Sequence, residues 1–294
     1  MLIVFIFSST GYSNNILKIL KMEFIASDNH GDIGLLWACG NYTSTEYAIS
    51  WINKAANINA RNKDGDTALI LACQTCRYND TNLIKALIEK EPDFNIQNID
   101  GNTALLITCV NIDSCDSLYG IFISLIYKGA DINIKNNNNE TALIMVCRKK
   151  KNSLAMRLLV LGADPNVQSK NGWTALLLAC QNKLEEVAMF LIDKVADLNV
   201  QNRESETALM CAVKNNLHQI VIMTLINKGV DLNVQDKYGF TALMYACAAD
   251  RRDIVIALIN KGADVNIVGN NGSTALDLIK DPVSKDALIQ ASKK

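Results

Sequence analysis

Apolar positions alternate between two spacings along most of the chain. In ALILAC, residues 68–73, the leucine two places after Thr67 and the Ala-Cys pair five and six places after it share one helical face. A second apolar stripe follows in each segment, as in LIKALIEK, VAMFLIDK and IVIALINK, and its spacing again predicts a helix. The linking pieces, such as DINIKN and DLNVQD, alternate apolar with polar residues, which predicts a short extended arm. Each arm closes on Gly65, Gly101, Gly172, Gly239 or Gly272, where a tight turn wants positive φ. Asn139 tolerates that conformation, and Ser205 is expected to be mildly strained there.

The pattern is periodic. Thr-Ala-Leu begins at Thr67, Thr103, Thr141, Thr174, Thr207, Thr241 and Thr274, at intervals of 36, 38, 33, 33, 34 and 33 residues. Ten residues before each threonine stands Asn57, Asp93, Asp131, Asp164, Asp197, Asp231 or Asp264. Two after that comes Asn59, Asn95, Asn133, Asn166, Asn199, Asn233 or Asn266. The threonine is placed to accept an amide of the first helical turn. Lys128-Gly129, Lys228-Gly229 and Lys261-Gly262 suit the end of the second helix. Each unit therefore reads as helix, turn, helix, hairpin arm. Neither helix is long enough to stand alone, so stacking must bury the apolar faces. The spare residues of the two longest repeats fall in CRYNDTN and NIDSCDSLYG, between the two helices, where an insertion can bulge into solvent.

Periodicity also changes the meaning of the nine cysteines. Cys73, Cys109, Cys147, Cys180 and Cys247 each lie six residues after a repeat threonine, and Cys39 follows Ile33 by the same step. Equivalent positions in stacked helices are about 8–10 Å apart, whereas a disulfide needs Cα atoms within about 7 Å. The thiols are expected to be reduced packing residues, which suits a cytoplasmic setting, with the nucleus as the other option.

Charge and motifs narrow the function. Lys plus Arg is 29 and Asp plus Glu is 30, so no long-range field gathers nucleic acid or an anionic membrane. Neither partner is expected, and no run reaches the roughly 18 apolar residues of a membrane span. Cys73-Gln-Thr-Cys76 falls at the end of a helix, where no dipole lowers a thiol pKa. A metal site from Cys73, Cys76, Cys109 and Cys115 would need a convergence that stacked helices do not supply. With only His30 and His218, no phosphate loop and no H-E-x-x-H, the chain is not expected to be an enzyme or to carry a metal or cofactor. Arg148, Lys149, Lys150 and Lys151 form the one basic run. It reads as a solvated helix end, an anionic contact or a weak nuclear localisation pattern.

The phrases GxTALxxAC and KGADxN, with a period near 33 over seven registers, resemble the ankyrin repeat. The resemblance implies a mainly α fold, an α-solenoid of helix-turn-helix units with β-hairpin arms. Where the family usually has proline after the threonine and histidine three after it, this chain has alanine and isoleucine, leucine or methionine. The family's threonine–histidine bonds are therefore expected to be absent. The alanine choice and asparagine-rich arms look like the expanded ankyrin families of giant DNA viruses, which would place the chain in a host cytoplasm.

In that register residues 28–268 hold seven repeats, at 28–61, 62–97, 98–135, 136–168, 169–201, 202–235 and 236–268. Residues 269–294, with a restart at Pro282, are expected to form a C-terminal capping repeat. Residues 1–27 fit a degenerate N-terminal repeat or cap, with Phe5 and Ile6 replacing the small pair. A start at Met22 and a signal peptide remain alternatives for that segment.

The resemblance also implies a surface. Such stacks bind proteins through arm tips and the exposed face of the first helices. By register those positions are Asn138, Glu140, Arg148 and Lys149; Lys170, Asn171, Trp173 and Gln181; Arg203, Glu206 and Lys214; and Lys237, Tyr238 and Phe240. Asn137, Asn182, Glu204, Asn215, Ala248 and Ala249 belong to the same set. Core positions barely change between repeats while these do. Trp173, Tyr238 and Phe240 are large rings at positions expected to be exposed, where they could be hot spots or could lie over a neighbouring arm.

The expectation is a monomeric, non-catalytic scaffold for a protein partner of unspecified identity. One alternative is a substrate adaptor for a ubiquitin ligase, which, with a capping repeat last, would use the N-terminal segment. Another is a substrate or decoy for asparagine hydroxylation, since Leu258 to Asn266 has the spacing that resembles such sites.

Overall fold

The computed structural model describes residues 30–41, 45–53, 57–76, 81–113, 117–194 and 196–293. The readings made for residues 1–27, and for Cys115, lie outside them. The described residues form helices and turns with no strand, and the chain divides into two compact units, Met1–Asn137 and Asn138–Lys294.

The first unit holds α1 (His30–Gly40), α2 (Thr45–Ile52), α3 (Ala68–Thr75), α4 (Asn82–Ile88), α5 (Ala104–Asn111) and α6 (Leu118–Tyr127). First helices pack on first helices, α1 on α3 and α3 on α5, while second helices pack on second helices, α2 on α4 and α4 on α6. Between the two rows lie Ile70, Leu87, Leu105, Ile121, Phe122 and Leu125, all fully buried. Each such side chain contributes about 1.5–3 kcal/mol by leaving water, which is what holds helices of seven to eleven residues in place.

The second unit repeats this construction with α7 (Ala142–Arg148), α8 (Asn152–Val160), α9 (Ala175–Asn182), α10 (Glu185–Lys194), α11 (Ala208–Lys214), α12 (Gln219–Asn227), α13 (Ala242–Ala248) and α14 (Arg252–Asn260). It continues into the single turn α15 (Ala275–Leu278) and α16 (Pro282–Ala291). The helices α7, α9, α11, α13 and α15 form one row, and α8, α10, α12, α14 and α16 the other.

Local chemistry sets the helix limits. Oγ1 of Thr67, Thr103, Thr141, Thr174, Thr207 and Thr241 accepts the N–H three residues on, at 3.3–3.5 Å. In the regular repeats the first helix ends in a left-handed residue nine after the threonine: Lys150, Lys183, Asn216 and Asp250, with φ of 54–60°. The next amide then turns back to the helix, as Leu184 N–H does to Ala179 O at 2.9 Å. Two lysines therefore hold a conformation that glycine or asparagine would adopt more easily.

The arms are hairpins in path but not strand pairs. Asn98 N–H donates to Asn102 O at 3.0 Å and Gly101 N–H to Asn98 O at 2.9 Å, which closes the loop after one pair of bonds and leaves no ladder to extend. Gly172 is needed for two reasons. Its φ is +81°, and a Cβ there would stand 2.6 Å from Asn202 Cα in the next arm. Ser205 adopts the same left-handed region at φ 58°, which is the strain its side chain implies.

Candidate partner-binding face

Most arms are held by side chains at fixed distances from the threonine. Five residues before it, a buried polar group caps its own turn. Asn98 Oδ1 accepts Asp100 and Asn102 N–H at 3.1 and 2.9 Å, Asn202 Oδ1 accepts Glu204 and Glu206 N–H, and Asp236 Oδ1 accepts Tyr238 and Phe240 N–H at 2.9 Å each. Six residues before the threonine, an amide joins one arm to the next: Gln168 Nε2 donates to Gly172 O at 3.1 Å and to Gln201 O at 2.9 Å. Gln97 and Gln235 do the same.

A third set explains the Asp-x-Asn pattern. Asp197 Oδ1 accepts Asn199 N–H at 3.0 Å, and Asn199 Oδ1 accepts Asp231 N–H at 2.9 Å, one repeat on. Asn59, Asn95, Asn166 and Asn233 accept the next aspartate amide in the same way. The arms therefore form a continuous hydrogen-bonded edge within each unit, and the side chains at their tips are displayed from a fixed frame.

On the side formed by arms and first helices, the residue before the threonine reaches the residue seven after it. Glu140 pairs with Arg148, and Glu206 with Lys214 at 2.7 Å. In the first unit the same step joins Gln74 to Asp66 at 3.2 Å. Asp66 also accepts Asn98 Nδ2 at 2.8 Å. Burial holds its carboxyl above the usual range, against hydrogen bonds from Asn98, Asn62 and Gln74 that lower it. Burial lowers Lys214, but the bond and charge of Glu206 outweigh it, so its pKa is raised.

The repeats of Thr207 and Thr241 carry the densest cluster. Lys214 Nζ lies 5.2 Å from the Tyr245 ring centroid, and Tyr245 donates its phenol proton to Asp236 Oδ2. Burial and then that bond push the Tyr245 phenol up. The Phe240 ring meets Tyr245 edge-to-face, with centroids 5.6 Å apart. Lys237 pairs with Glu204 of the preceding arm, with its Nζ 4.9 Å from the Tyr238 ring.

The register-based surface is thus displayed unevenly. Asn138, Arg148, Lys149, Lys170, Asn171, Gln181, Arg203, Lys214, Lys237 and Tyr238 are exposed, with Tyr238 at 55%. Glu140 and Glu206 are nearly covered by their partners, at 12% and 14% side-chain exposure. Trp173 and Phe240, expected in the open, are half-buried. Phe240 lies over the next arm, since a Cβ on Gly269 would meet its ring at 2.8 Å. Asn182 and Asn215, expected at the surface, instead clamp helix ends: Asn182 Nδ2 donates to Cys147 O at 3.1 Å, and Asn215 Nδ2 to Cys211 O at 2.9 Å. Tyr245 and Asp236 are missing from the register-based set. A signal existed for Tyr245, whose polar-tipped ring occupies a place that is Leu71, Ile107, Met145, Leu178 or Cys211 in other repeats.

The thiols are inert in this setting. Cys39, Cys73, Cys76, Cys109, Cys147, Cys180, Cys211 and Cys247 are buried and form no disulfide among the described residues. Burial pushes Cys39, Cys147, Cys180 and Cys247 up to about 12, and Cys73 and Cys109 higher still. Among the described residues no cluster of His, Cys, Asp or Glu could hold a metal, and no helix is long and apolar enough to cross a membrane. His218 is exposed, with Nδ1 accepting Ile220 N–H at 3.3 Å as a helix cap.

A family model described as ankyrin repeats (3 copies) matches residues 6–121, 114–202 and 190–269. No curated protein matches the chain. Among solved structures, the ankyrin repeat domain of Bcl-3, described as a unique member of the IkappaB protein family, is similar with a TM-score of 0.57 at 22% identity. The match covers 77% of this chain and 100% of that one.

Proposed function

Because the chain belongs to the ankyrin repeat family, we propose that it is a monomeric, non-catalytic scaffold that binds a protein partner through arm tips and the exposed face of the first helices. The observation that carries this reading is the Lys237–Tyr238–Phe240–Tyr245 cluster. It is a group of rings and charges on a hydrogen-bonded frame whose core positions hardly vary between repeats. Aromatic residues in such clusters dominate binding energy at protein interfaces. Capture of partners by the full chain, compared with Tyr238→Ala and Trp173→Ala, tests it. A partner lost from both variants at unchanged unfolding midpoint supports the face. Equal capture by wild type and the double variant would end the assignment.

The finer readings have separate supports. Asparagine-rich arms and the Thr-Ala choice favour a viral origin, and reduced, buried thiols favour the cytoplasm of a host cell over a secreted setting. Imaging a tagged chain in cells tests the placement. Asparagine hydroxylation is favoured at Asn266, which is exposed and accepts no following aspartate amide among the described residues. An intact mass without added oxygen would remove it. A ligase adaptor predicts co-purification of a ligase subunit that is lost when residues 1–30 are removed.

A further inference from the structure

The arm-and-first-helix face of the second unit is basic, although the chain as a whole has a net charge of −1. Its carboxylates are already committed, Glu140 to Arg148, Glu204 to Lys237, Glu206 to Lys214 and Asp236 to the Tyr245 hydroxyl. Two cations remain on adjacent arm tips, Lys170 and Arg203, both exposed and without an ion-pair partner among the described residues. Their arms are tied by Arg203 N–H donating to Asn171 O at 3.1 Å, so their backbones keep a fixed separation. The half-buried Trp173 ring belongs to the same arm as Lys170. Summed over the same register positions the first unit is acidic, with Asp64, Asp66 and Asp100 against Lys63, although Lys63 and Ile99 stand where Lys170 and Arg203 do. The basic character is therefore a property of this face and not of the repeat.

Resting on the scaffold reading above, we infer that the arm tips of residues 169–235 bind an extended acidic segment of the partner protein. Stacked repeats set the two arms that carry these cations about 8–10 Å apart. A segment in the polyproline-II conformation advances about 3.1 Å per residue with three residues per turn, so carboxylates three residues apart share one face and reach both. A nucleic acid fits poorly. Duplex phosphates place one charge per roughly 1.7 Å of axis, whereas this face offers one uncommitted cation per arm with Glu204 beside them.

The test measures fluorescence anisotropy of a labelled peptide of repeated Glu-Ser-Leu with the full chain, at about 10 mM and about 150 mM salt. Its glutamine counterpart, an oligothymidylate and phosphatidylserine vesicles serve as the other probes. The expected result is binding of the glutamate peptide alone, weakened about tenfold at low salt by K170E/R203E and unchanged by K261E/K285E, which alters net charge equally at other exposed positions. If the reversal variant loses its folded circular dichroism, K170Q/R203Q replaces it and must still weaken binding. Equal binding of the glutamine peptide, no loss in either variant, no binding at all, or stronger binding of oligothymidylate or vesicles overturns the inference. A captured partner that depends on Tyr238 and Trp173 but not on Lys170 and Arg203 would overturn it while leaving the scaffold reading intact.

Discussion

Asn199 Oδ1 accepts the backbone N–H of Asp231 at 2.9 Å, joining two arms that are 32 residues apart in sequence. Asn266 occupies the same place in its arm but engages no such amide among the described residues. Asn199→Ala should therefore cost about 1 kcal/mol, the typical net worth of one hydrogen bond, and Asn266→Ala less than about 0.5 kcal/mol. Urea unfolding of both variants measures the difference, and equal costs would show that the edge bonds add nothing.

Backbone conformation gives a second contrast. Lys183 sits at φ 60°, ψ 39°, and Lys183→Gly should raise stability by about 0.5–1 kcal/mol once the extra freedom of glycine in the unfolded chain is included. Gly172→Ala should lower it by more than about 1 kcal/mol, because its φ is +81° and the new Cβ meets the next arm. Thermal midpoints that move in the opposite directions would contradict both assignments.

Asp66 has a pKa raised above 3.8 chiefly by burial, so the native state holds the proton more tightly than the unfolded state does. The stability this adds is fully present below the unfolded value and is lost as pH rises through the native one. Asp66→Asn keeps an acceptor for Asn98 and Gln74 without the charge. Relative to that variant, wild type should gain stability between pH 7 and about pH 4. A difference that is flat with pH argues against a shifted Asp66.

Burial of the thiols has an alkaline counterpart. With Cys147 and Cys180 near 12 against an ordinary 9.0, unfolded thiols ionise first, so stability should fall as pH rises from 9 toward 12. Each thiol contributes a slope of up to about 1.4 kcal/mol per pH unit. Cys180→Ala should remove one thiol's share. At neutral pH the native chain should take up at most one equivalent of a thiol reagent, since eight of its nine cysteines are buried, and all nine after unfolding. Rapid native labelling at Cys73 or Cys76 would restore a redox reading.

What can be read along one dimension is what recurs at short range. The threonine caps, the left-handed turn at Gly172 or Asn139, the apolar faces of paired helices and the cysteines as packing residues follow from a pattern repeated seven times. In each case the controlling contacts lie within a few residues or within a shared core. The binding face depended on stacking. Whether Glu206 is free to meet a partner rests on Lys214 eight residues on, and whether Phe240 is open to solvent rests on Gly269 in the next arm. Lys170 and Arg203 stand out only once their neighbours' charges are seen to be paired. Side-chain partners across repeats are set by the geometry of adjacent arms, and identical spacing along the chain leaves them undetermined until those arms are brought together.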